Sequence, residues 1–276
     1  MEGKIIKNIS NDYVVLANNL EYTCKARGKF RINSIVPLVG DNVVFDEVNK
    51  YIIDIKKRKN VLVRPPVSNV DQAIIVVSVK EPDFNTNLLD KMLAIISYNN
   101  IKPIICLSKL DLLNEDEQEE IDNYVDYYKK IGYIVVNNRD KENLKMIIKG
   151  KTSVVTGQSG AGKSSLLNYL DNSLELKTNE ISKALGRGKH TTRCVTLYNL
   201  YDGFIVDTPG FSAVSFDMMS KMDIRDNMNE MFDNLQYCKY RDCMHLKEDG
   251  CMVKEKVRQG EILASRYNNY KSFLEK

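Results

Sequence analysis

The sequence has no long hydrophobic run, no repeat and no export signal, and each absence excludes a class of protein. No apolar stretch approaches the ~20 residues that a transmembrane helix needs. The first ten residues, MEGKIIKNIS, lack the apolar segment of a secretory signal. No internal repeat or low-complexity tract is present, which excludes a fibrous chain. We therefore expect a cytoplasmic protein with no membrane partner.

Length and composition indicate an ordinary globular protein with more than one domain. Of the 276 residues, 43% are hydrophobic and 28% are charged, close to the averages of soluble proteins. Because domains cluster around ~100–150 residues, the length predicts two or three of them.

Charge is distributed unevenly, although the net charge is only +3. Residues 1–65 hold twelve Lys or Arg against seven Asp or Glu, including the run Lys56, Lys57, Arg58 and Lys59. A basic face of this kind can follow nucleic-acid phosphates. A solvated charged surface without a partner is the alternative at this point.

The first block, residues 1–66, predicts a small all-β barrel. It contains short runs that alternate hydrophobic and polar residues, such as DYVVLA, DNVVFDEV and YIIDIKKR, separated by Asn, Gly and Pro. The segment Arg64-Pro65-Pro66 cannot continue a regular strand ladder. We expect it to end the block and to serve as a linker.

The second and third blocks have different patterns. From residue 70, apolar runs typical of buried parallel strands, DQAIIVVSV and KPIICLS, alternate with the helix-like segments NTNLLDKMLAIISYNN and DEQEEIDNYVDYYKKIG. This alternation predicts an α/β domain over residues 67–212. Residues 213–276 show no strand pattern, and the stretches FDMMSKMDIRDNMNEMFDNL and VKEKVRQGEILASRYNNYKSFLEK predict helices on either side of a cysteine cluster.

The strongest chemical signal is TGQSGAGKSS, which fits the phosphate-binding pattern G-x-x-x-x-G-K-S. Its glycines allow consecutive backbone N–H groups to face a phosphate, while Lys163 can reach the outer phosphates and the Ser164 hydroxyl can bind Mg²⁺. A strand-like run, KTSVV, precedes it and a helix-like run, SSLLNYL, follows it, as the motif requires. The nucleotide-binding residues predicted here are Gly157, Gln158, Ser159, Gly160, Ala161, Gly162, Lys163, Ser164 and Ser165.

The segment Asp207-Thr208-Pro209-Gly210 follows the strand-like run GFIVD. An acidic side chain at that place can hold the Mg²⁺ shell, and the Gly210 N–H can contact a γ-phosphate. The pattern D-x-x-G is common in turns by itself, so its position after a strand carries the prediction.

The segment Ser108-Lys109-Leu110-Asp111 follows the run PIICL and is similar to the guanine-binding motif N-K-x-D. The Asp111 carboxylate can accept hydrogen bonds from the guanine N1–H and exocyclic amine, which adenine does not offer together. Ser108 replaces the usual Asn and weakens one connection to the phosphate-binding loop, which its hydroxyl can partly restore. A polar helix start without a ligand is the alternative.

The order of these motifs is permuted. In an ordinary GTPase the guanine-binding motif comes last, but here Asp111 precedes the phosphate-binding loop that begins at Gly157. The segment after Gly210 therefore leads directly into the C-terminal block.

A metal site is predicted from Cys238-x4-Cys243-x-His245-x5-Cys251. Three thiolates and one imidazole are the ligand set of a closed, structural zinc site, with one ion per chain. The second of only two histidines in the chain lies in this cluster. Reduced surface cysteines without a metal are the alternative.

Taken together, these segments resemble the RsgA (YjeQ/YloQ) family of circularly permuted GTPases, which act in maturation of the small ribosomal subunit. The resemblance spans nearly the whole chain and includes PPVSNVDQ, EPDFNTNLLDKML, SKLD, GQSGAGKSS, GRGKHTTR, DTPGF and the Cys/His cluster. It implies an OB-like barrel over residues 1–66, a permuted GTPase domain over residues 67–212 and a helical zinc-binding domain over residues 213–276.

The resemblance also implies roles in hydrolysis for the segment GRGKHTTR, residues 186–193. A threonine hydroxyl there, that of Thr192 or alternatively Thr191, can complete the Mg²⁺ shell. Phe211 stands where many GTPases have a Gln that orients water, and His190 is the implied replacement. An exposed loop histidine without a catalytic role is the alternative.

Three functions follow as hypotheses. The first is a monomeric GTPase that binds GTP and GDP with Mg²⁺, binds the small ribosomal subunit and its rRNA, and is stimulated by the subunit. The second is a P-loop ATPase or kinase without a ribosomal role. The third is a nucleotide-gated RNA-binding module with little turnover.

Overall fold

The computed structural model describes residues 1–28, 30, 35–63, 66–171, 195–207 and 215–275, without the side chains of Val63 and Asp207. Within these ranges the β-strands are β1 Glu2–Ile9, β2 Asp12–Ala17, β3 Leu20–Ala26, β4 Asn42–Asp46, β5 Tyr51–Ile55, β6 Val61–Val63, β7 Pro66–Ser68, β8 Gln72–Ser78, β9 Lys102–Ser108, β10 Ile134–Asn137, β11 Thr152–Gly157, β12 Thr196–Leu200 and β13 Gly203–Asp207. The α-helices are α1 Thr86–Tyr98, α2 Glu115–Lys130, α3 Lys141–Ile148, α4 Lys163–Leu170, α5 Lys221–Asp226, α6 Asn229–Asp233, α7 Met252–Arg258 and α8 Ala264–Leu274.

The chain divides into two compact units. The first unit contains Met1–Ile74, Arg139–Thr156 and Lys163–Phe211. The second unit contains Ile75–Asn138, Gly157–Gly162 and Ser212–Lys276. The limits 1–66, 67–212 and 213–276 set out above remain predictions.

The N-terminal part of the first unit is a five-stranded barrel, as the alternating runs predicted. Its strands follow the order β1-β2-β3-β5-β4, and an additional pairing between β1 and β4 closes it. β3 and β5 are parallel, whereas the remaining pairs are antiparallel. Val43, Phe45 and Ile52 are fully buried in its interior. This is the strand arrangement of the OB-like barrel.

Strand β1 also reaches beyond the barrel. Its register with β2 shifts between Ile5 and Lys7, and Lys7 pairs antiparallel with Thr196 of β12. A bulge bends the strand that contains it. One edge of β1 pairs with β4 at its start and with β12 at Lys7, while the other edge pairs with β2 as far as Ile9. β12 continues antiparallel to β13, which pairs in parallel with β11.

The expected linker near residue 66 is instead part of a hairpin. β6 pairs antiparallel with β7, and Val63 lies opposite Pro66. Proline is tolerated as the first residue of a strand, where the ladder does not need its missing N–H. The Ser68 backbone N–H donates to the Val39 carbonyl at 2.9 Å, so the chain stays hydrogen-bonded to the barrel past residue 66.

The second unit contains β9, β10 and the part of β8 from Ile75 onwards, and the strand order is β10-β9-β8. β9 and β10 pair in parallel from Ile104 and Ile134 onwards. The predicted strands and helices of this region are confirmed, since α1 and α2 occupy the two segments with helical spacing. Residues 215–275 contain helices and no strand within the described part of the chain.

The two C-terminal helical stretches are more broken than the sequence pattern predicted. Arg258 ends α7, and the Gly260 and Glu261 N–H groups donate back to the carbonyls of Val257 and Lys256. With φ +75° at Gly260, this is the glycine-terminated end of a helix. In the preceding stretch, the Asn227 and Asn234 side chains donate to backbone carbonyls four residues earlier and compete with continuation of the helix.

Among the described residues, no helix has the length and the apolar character to cross a bilayer.

Candidate functional site

The phosphate-binding turn connects the end of β11 at Gly157 to the start of α4 at Lys163. Gly157, Gly160 and Gly162 have φ angles of +140°, +79° and +93°, which side-chain-bearing residues rarely adopt. A Cβ atom on Gly157 would lie 2.1 Å from the Val76 carbonyl oxygen. Glycine is therefore required both by the backbone angle and by the neighbouring strand.

The turn is closed by the Ala161 N–H, which donates to the Gln158 carbonyl at 3.2 Å, and Ala161 itself is fully buried. Helix α4 is held by three buried leucines, Leu166, Leu167 and Leu170. The first N–H groups of a helix have no partner within the helix, so the start of α4 offers donors to a phosphate. Lys163 and Ser164 occupy its first two positions.

The guanine-binding segment meets the phosphate-binding turn through Ser108. This residue ends β9 and is 1% exposed. Its hydroxyl donates to the Ala161 carbonyl at 2.6 Å, with the Val77 carbonyl as a longer contact at 3.2 Å. The hydroxyl therefore makes the connection that the replacement of Asn was expected to weaken.

The next residues form a strained turn. Lys109 has a φ of +62°, Leu110–Leu112 is a single 3-10 turn, and Asp111 is exposed. A non-glycine residue in the left-handed region costs ~1–3 kcal/mol and marks functional sites. The turn ends in a capping box, in which the Asn114 and Glu117 side chains each accept from the other's backbone N–H at 2.9 Å. The start of α2 is thereby fixed just beyond Asp111.

A loop that the sequence patterns did not assign lies beside this turn. The Glu81 carbonyl accepts a hydrogen bond from Lys109 Nζ. Lys80 Nζ contacts both carboxylate oxygens of Glu117 at 2.7 Å, which holds the pKa of that carboxyl below its usual value. Pro82 Cδ lies 3.6 Å from where a Cβ atom on Gly160 would be. The only sequence signal was the stretch EPDFNTNLLDKML, which resembled the family without suggesting a role.

The remaining nucleotide residues fall mostly outside the described part of the chain. His190, Thr191, Thr192, Gly210 and the Asp207 side chain lie there. The backbone of Asp207 is described and pairs with Val155, two residues before Gly157. Because parallel strands place their carboxyl ends at the same sheet edge, β13 ends close to the end of β11.

The four predicted metal ligands come together in the second unit. The ligand atoms of Cys238, Cys243, His245 and Cys251 all lie within 4.8 Å of one another. His245 Nδ1 is 3.6 Å from Cys238 Sγ and 3.4 Å from Cys251 Sγ. Metal–sulfur bonds of ~2.3 Å and metal–nitrogen bonds of ~2.0 Å in a tetrahedron place ligand atoms ~3.5 Å apart, so the cluster fits a metal ion.

The protonation of these residues also agrees with a metal site. His245 Nε2 lies 3.1 Å from the Met231 carbonyl, and donation to that oxygen leaves Nδ1 free as a ligand. Burial lowers the pKa of His245 to about 4, so the imidazole is neutral at pH 7. Burial raises the pKa of the Cys243 thiol to about 12. Without a cation the Cys243 thiol stays protonated, and a metal supplies the charge that stabilises its thiolate.

Helix α8 supports this cluster. The Tyr267 hydroxyl donates to the His245 carbonyl at 2.6 Å, and the Tyr270 hydroxyl donates to the Met244 carbonyl at 2.8 Å. His245 has a φ of +59°, so these contacts act on a backbone segment in an uncommon conformation. Neither tyrosine was singled out by a sequence pattern.

A buried charged network lies on another side of α8. Arg266 is 1% exposed and contacts Asp90 at 2.5 Å and Glu230 at 2.6 Å. The hydroxyls of Tyr128 and Tyr127 contact the same two carboxylates. The sequence contains no motif for this network, because its members come from four separate segments.

Comparison with known proteins shows the family to which the chain belongs. Residues 55–217 match the RsgA GTPase family and residues 2–51 match the RsgA N-terminal domain. The chain is 50% identical to small ribosomal subunit biogenesis GTPase RsgA 1 of Listeria monocytogenes serotype 4b, with 100% of this chain and 97% of the relative covered. It is 49% identical to the small ribosomal subunit biogenesis GTPase RsgA of Bacillus cereus, with 99% and 96% covered.

Two solved structures share the fold. The crystal structure of YloQ, a circularly permuted GTPase, superposes with a TM-score of 0.84 at 39% identity and covers 99% of this chain and 93% of its own. That of YjeQ from Thermotoga maritima gives a TM-score of 0.87 at 35% identity, with 99% and 97% covered.

Proposed function

Because the chain belongs to the RsgA family of GTPases, we propose that it binds the small ribosomal subunit and hydrolyses GTP during late maturation of that subunit, which stimulates the reaction. The proposal rests on the similarity of the whole chain to relatives that are named for that role and that share about half of its residues. The contact of Ser108 with the Ala161 carbonyl supports it, because it joins the guanine-binding and phosphate-binding segments.

The nucleotide is bound at three places. The N–H groups of residues 157–165 surround the phosphates, and Lys163 neutralises the outer ones. Asp111 accepts from the two donors of the guanine edge, with Ser108, Lys109 and Leu110 holding the turn. Gly210 contacts the γ-phosphate. Mg²⁺, when bound, neutralises charge on the phosphate oxygens, and Ser164, Asp207 and Thr192, or alternatively Thr191, hold it.

Hydrolysis proceeds by in-line attack of water on the γ-phosphate. Lys163 and the backbone N–H groups of the turn stabilise the charge that develops on the phosphate oxygens. His190 accepts a hydrogen bond from the attacking water and orients it, since Phe211 offers no polar group. We expect the intrinsic rate to be slow and the small subunit to raise it.

The ion in the C-terminal cluster is zinc, one per chain, with a structural role. Three sulfur ligands and one nitrogen leave no open position for a substrate. The nearness of all four ligand atoms supports this assignment. The zinc fixes the block of residues 213–276, which has short helices and a small core of its own.

The barrel, residues 1–66, binds rRNA, and the protein acts in the cytoplasm as a monomer. The excess of basic residues in this block supports binding to phosphates, and OB-like barrels bind oligonucleotides on their strand faces and loops. The central GTPase domain spans residues 67–212.

Hydrolysis of GTP and ATP, each with and without purified small subunits, tests the proposal. We expect GTP turnover that the subunits raise at least tenfold, and no competition by excess ATP. His190→Ala should lower the stimulated rate with little loss of GTP affinity, while Lys163→Ala should abolish turnover. Equal use of ATP would favour an ATPase or kinase, and absence of stimulation would favour an RNA-binding module with little turnover.

A further inference from the structure

The buried residue Arg266 joins the C-terminal helix α8 to two helices, of which α2 follows the proposed guanine-binding turn directly and α1 follows a loop that contacts it. Its guanidinium contacts Asp90 Oδ1 of α1 at 2.5 Å and lies 5.8 Å from the centre of the Tyr128 ring of α2. The Tyr128 hydroxyl donates to the same Asp90 oxygen at 2.6 Å. Arg266 therefore fixes α1 and α2 against each other as well as against α8.

Both helices are preceded by segments that are joined to the Lys109–Asp111 turn. Helix α1 is capped by Asn85, whose side chain accepts from the Leu88 N–H at 2.9 Å. The loop that leads into it carries the Glu81 carbonyl, which accepts from Lys109. Asp90 lies five residues after Asn85, ~7.5 Å along the helix, so its contact with Arg266 is close to that loop.

Helix α2 is joined to the turn just as closely. Its capping box begins at Asn114, three residues after Asp111, and its residue Glu117 holds Lys80 of the neighbouring loop. At the other end of the helix, Tyr127 and Tyr128 contact the carboxylates that Arg266 neutralises. Helix α2 is thus fixed at its start, beside the turn that carries Lys109 and Asp111, and at its end, by the network around Arg266.

Helix α8 connects the same residue to the metal cluster. Tyr267 and Tyr270, one and four positions after Arg266, donate to the carbonyls of His245 and Met244. On the side of α1, Asn269 Nδ2 donates to Asp90 Oδ2 at 2.7 Å. The helix therefore contacts the metal-binding segment and the start of α1 within a single turn and a half.

We propose that Arg266 is a positioning residue for the guanine-binding turn, through which the C-terminal block sets the affinity for guanine nucleotides. The inference rests on the proposed binding of guanine by Asp111. Removal of Arg266 leaves Asp90, which is fully buried, without its cation. Asp90 keeps the Tyr128 hydroxyl and Asn269 Nδ2 as donors, but it loses the guanidinium that joins it to Glu230 of α6. The start of α1, the Glu81 carbonyl and Lys109 are then no longer held in place.

The test compares Arg266→Lys, which keeps the charge but loses the two-sided contact, with Arg258→Lys in the same block. Arg258 is largely exposed and contacts only Glu255 among the described residues. The dissociation constant of a fluorescent GDP analogue, and its displacement by ADP, are measured well below the melting temperature. We expect Arg266→Lys to weaken GDP binding about tenfold and to reduce the preference over ADP, with the turnover of bound GTP changed less. Arg258→Lys should match the parent chain.

If the role of Arg266 is purely structural, Arg266→Lys has a lower melting temperature but the folded protein binds GDP with an unchanged dissociation constant. That result would overturn the proposal. If Arg266→Lys does not fold, the triple variant Arg266→Met with Asp90→Asn and Glu230→Gln, which removes all three charges of the network, takes its place. GDP affinity equal to that of the parent chain in this variant would overturn the proposal equally.

Asp111→Asn separates this inference from the proposed function. Loss of guanine preference in Asp111→Asn without an effect of Arg266→Lys would overturn the positioning role alone. Unchanged guanine binding in Asp111→Asn would overturn the assignment of Asp111, on which both depend.

Discussion

In the phosphate-binding turn the backbone sets the geometry, whereas in the C-terminal cluster side chains from separate segments have to meet. The turn needs three glycines at positive φ and one hydroxyl contact from Ser108. The cluster needs four ligands, supported by Tyr267 and Tyr270 from α8. The turn is therefore encoded locally, while the cluster depends on the packing of a distant helix and can hold a metal ion.

Loss of the ion should have the largest effect, and it should be confined to the C-terminal block. Cys251→Ser removes a ligand and leaves buried sulfurs without a cation, and structural metal sites contribute a large share of the folding free energy of small domains. We expect the metal content to fall from one ion per chain to none and the melting temperature to fall by ~10 °C or more. Metal analysis and calorimetry measure this.

Cys24→Ala is the matched control, because Cys24 is equally buried but lies in the barrel. It should lose stability through a small cavity and retain the ion. A full metal content in Cys251→Ser would remove this cysteine from the ligand set.

Gly157→Ala should break the turn and spare the cluster. The added methyl group would lie 2.1 Å from the Val76 carbonyl oxygen at a φ of +140°, so either β8 or the turn must move. We expect loss of GDP binding beyond detection with an unchanged metal content, as measured by calorimetric titration. Gly28→Ala is the control, since nothing lies within 4 Å of a Cβ atom there. Retained GDP affinity in Gly157→Ala would contradict the role of this glycine.

The sequence predicted what depends on neighbouring residues. The barrel, the strands β8 and β9, the helices α1 and α2, the phosphate-binding turn and the ligand set of the cluster each have a short pattern with a physical cause. Pro66 was expected to lie in a linker, because proline cannot continue a strand ladder. It is instead the first residue of β7, a position in which proline is tolerated. The sequence does contain a sign of the helix end at Gly260, because this glycine follows a run of helix-forming residues. The hydrophobic spacing continues past it, so the spacing alone did not predict the break.

The contacts that join separate segments had no sequence signal. Arg266, Asp90 and Glu230 come together only after α1, α6 and α8 have packed, and an isolated charged residue in a helix is ordinarily exposed. The Lys109 contact with the Glu81 carbonyl has the same origin. Contacts of this kind hold the locally encoded sites in place. The contacts could not be derived from spacing, because their members are far apart in the sequence.

Ser108→Ala tests the side-chain hydrogen bond that joins β9 to the turn. The variant leaves the buried Ala161 carbonyl without this donor, which costs ~1–3 kcal/mol. We expect GDP binding to weaken five- to tenfold in fluorescence titrations. Ser68→Ala is the control, since its buried hydroxyl donates to Asp41 at 2.6 Å within the barrel. It should lower the melting temperature to a similar degree without changing GDP affinity.

The smallest effect is expected from Lys80→Met, at the loop that the sequence patterns did not assign. The contact with Lys80 is the largest cause that holds the pKa of Glu117 below its usual value, followed by the Asn114 N–H. A carboxyl with a lowered pKa in the folded state stabilises that state above its unfolded pKa and loses this contribution as the pH falls through the lower, folded value. In Lys80→Met the pKa of Glu117 should rise but stay below the usual value, because the backbone donor remains. Carboxyl titration by NMR measures the shift, and an unchanged pKa would mean that the capping box alone fixes the start of α2 beside Asp111.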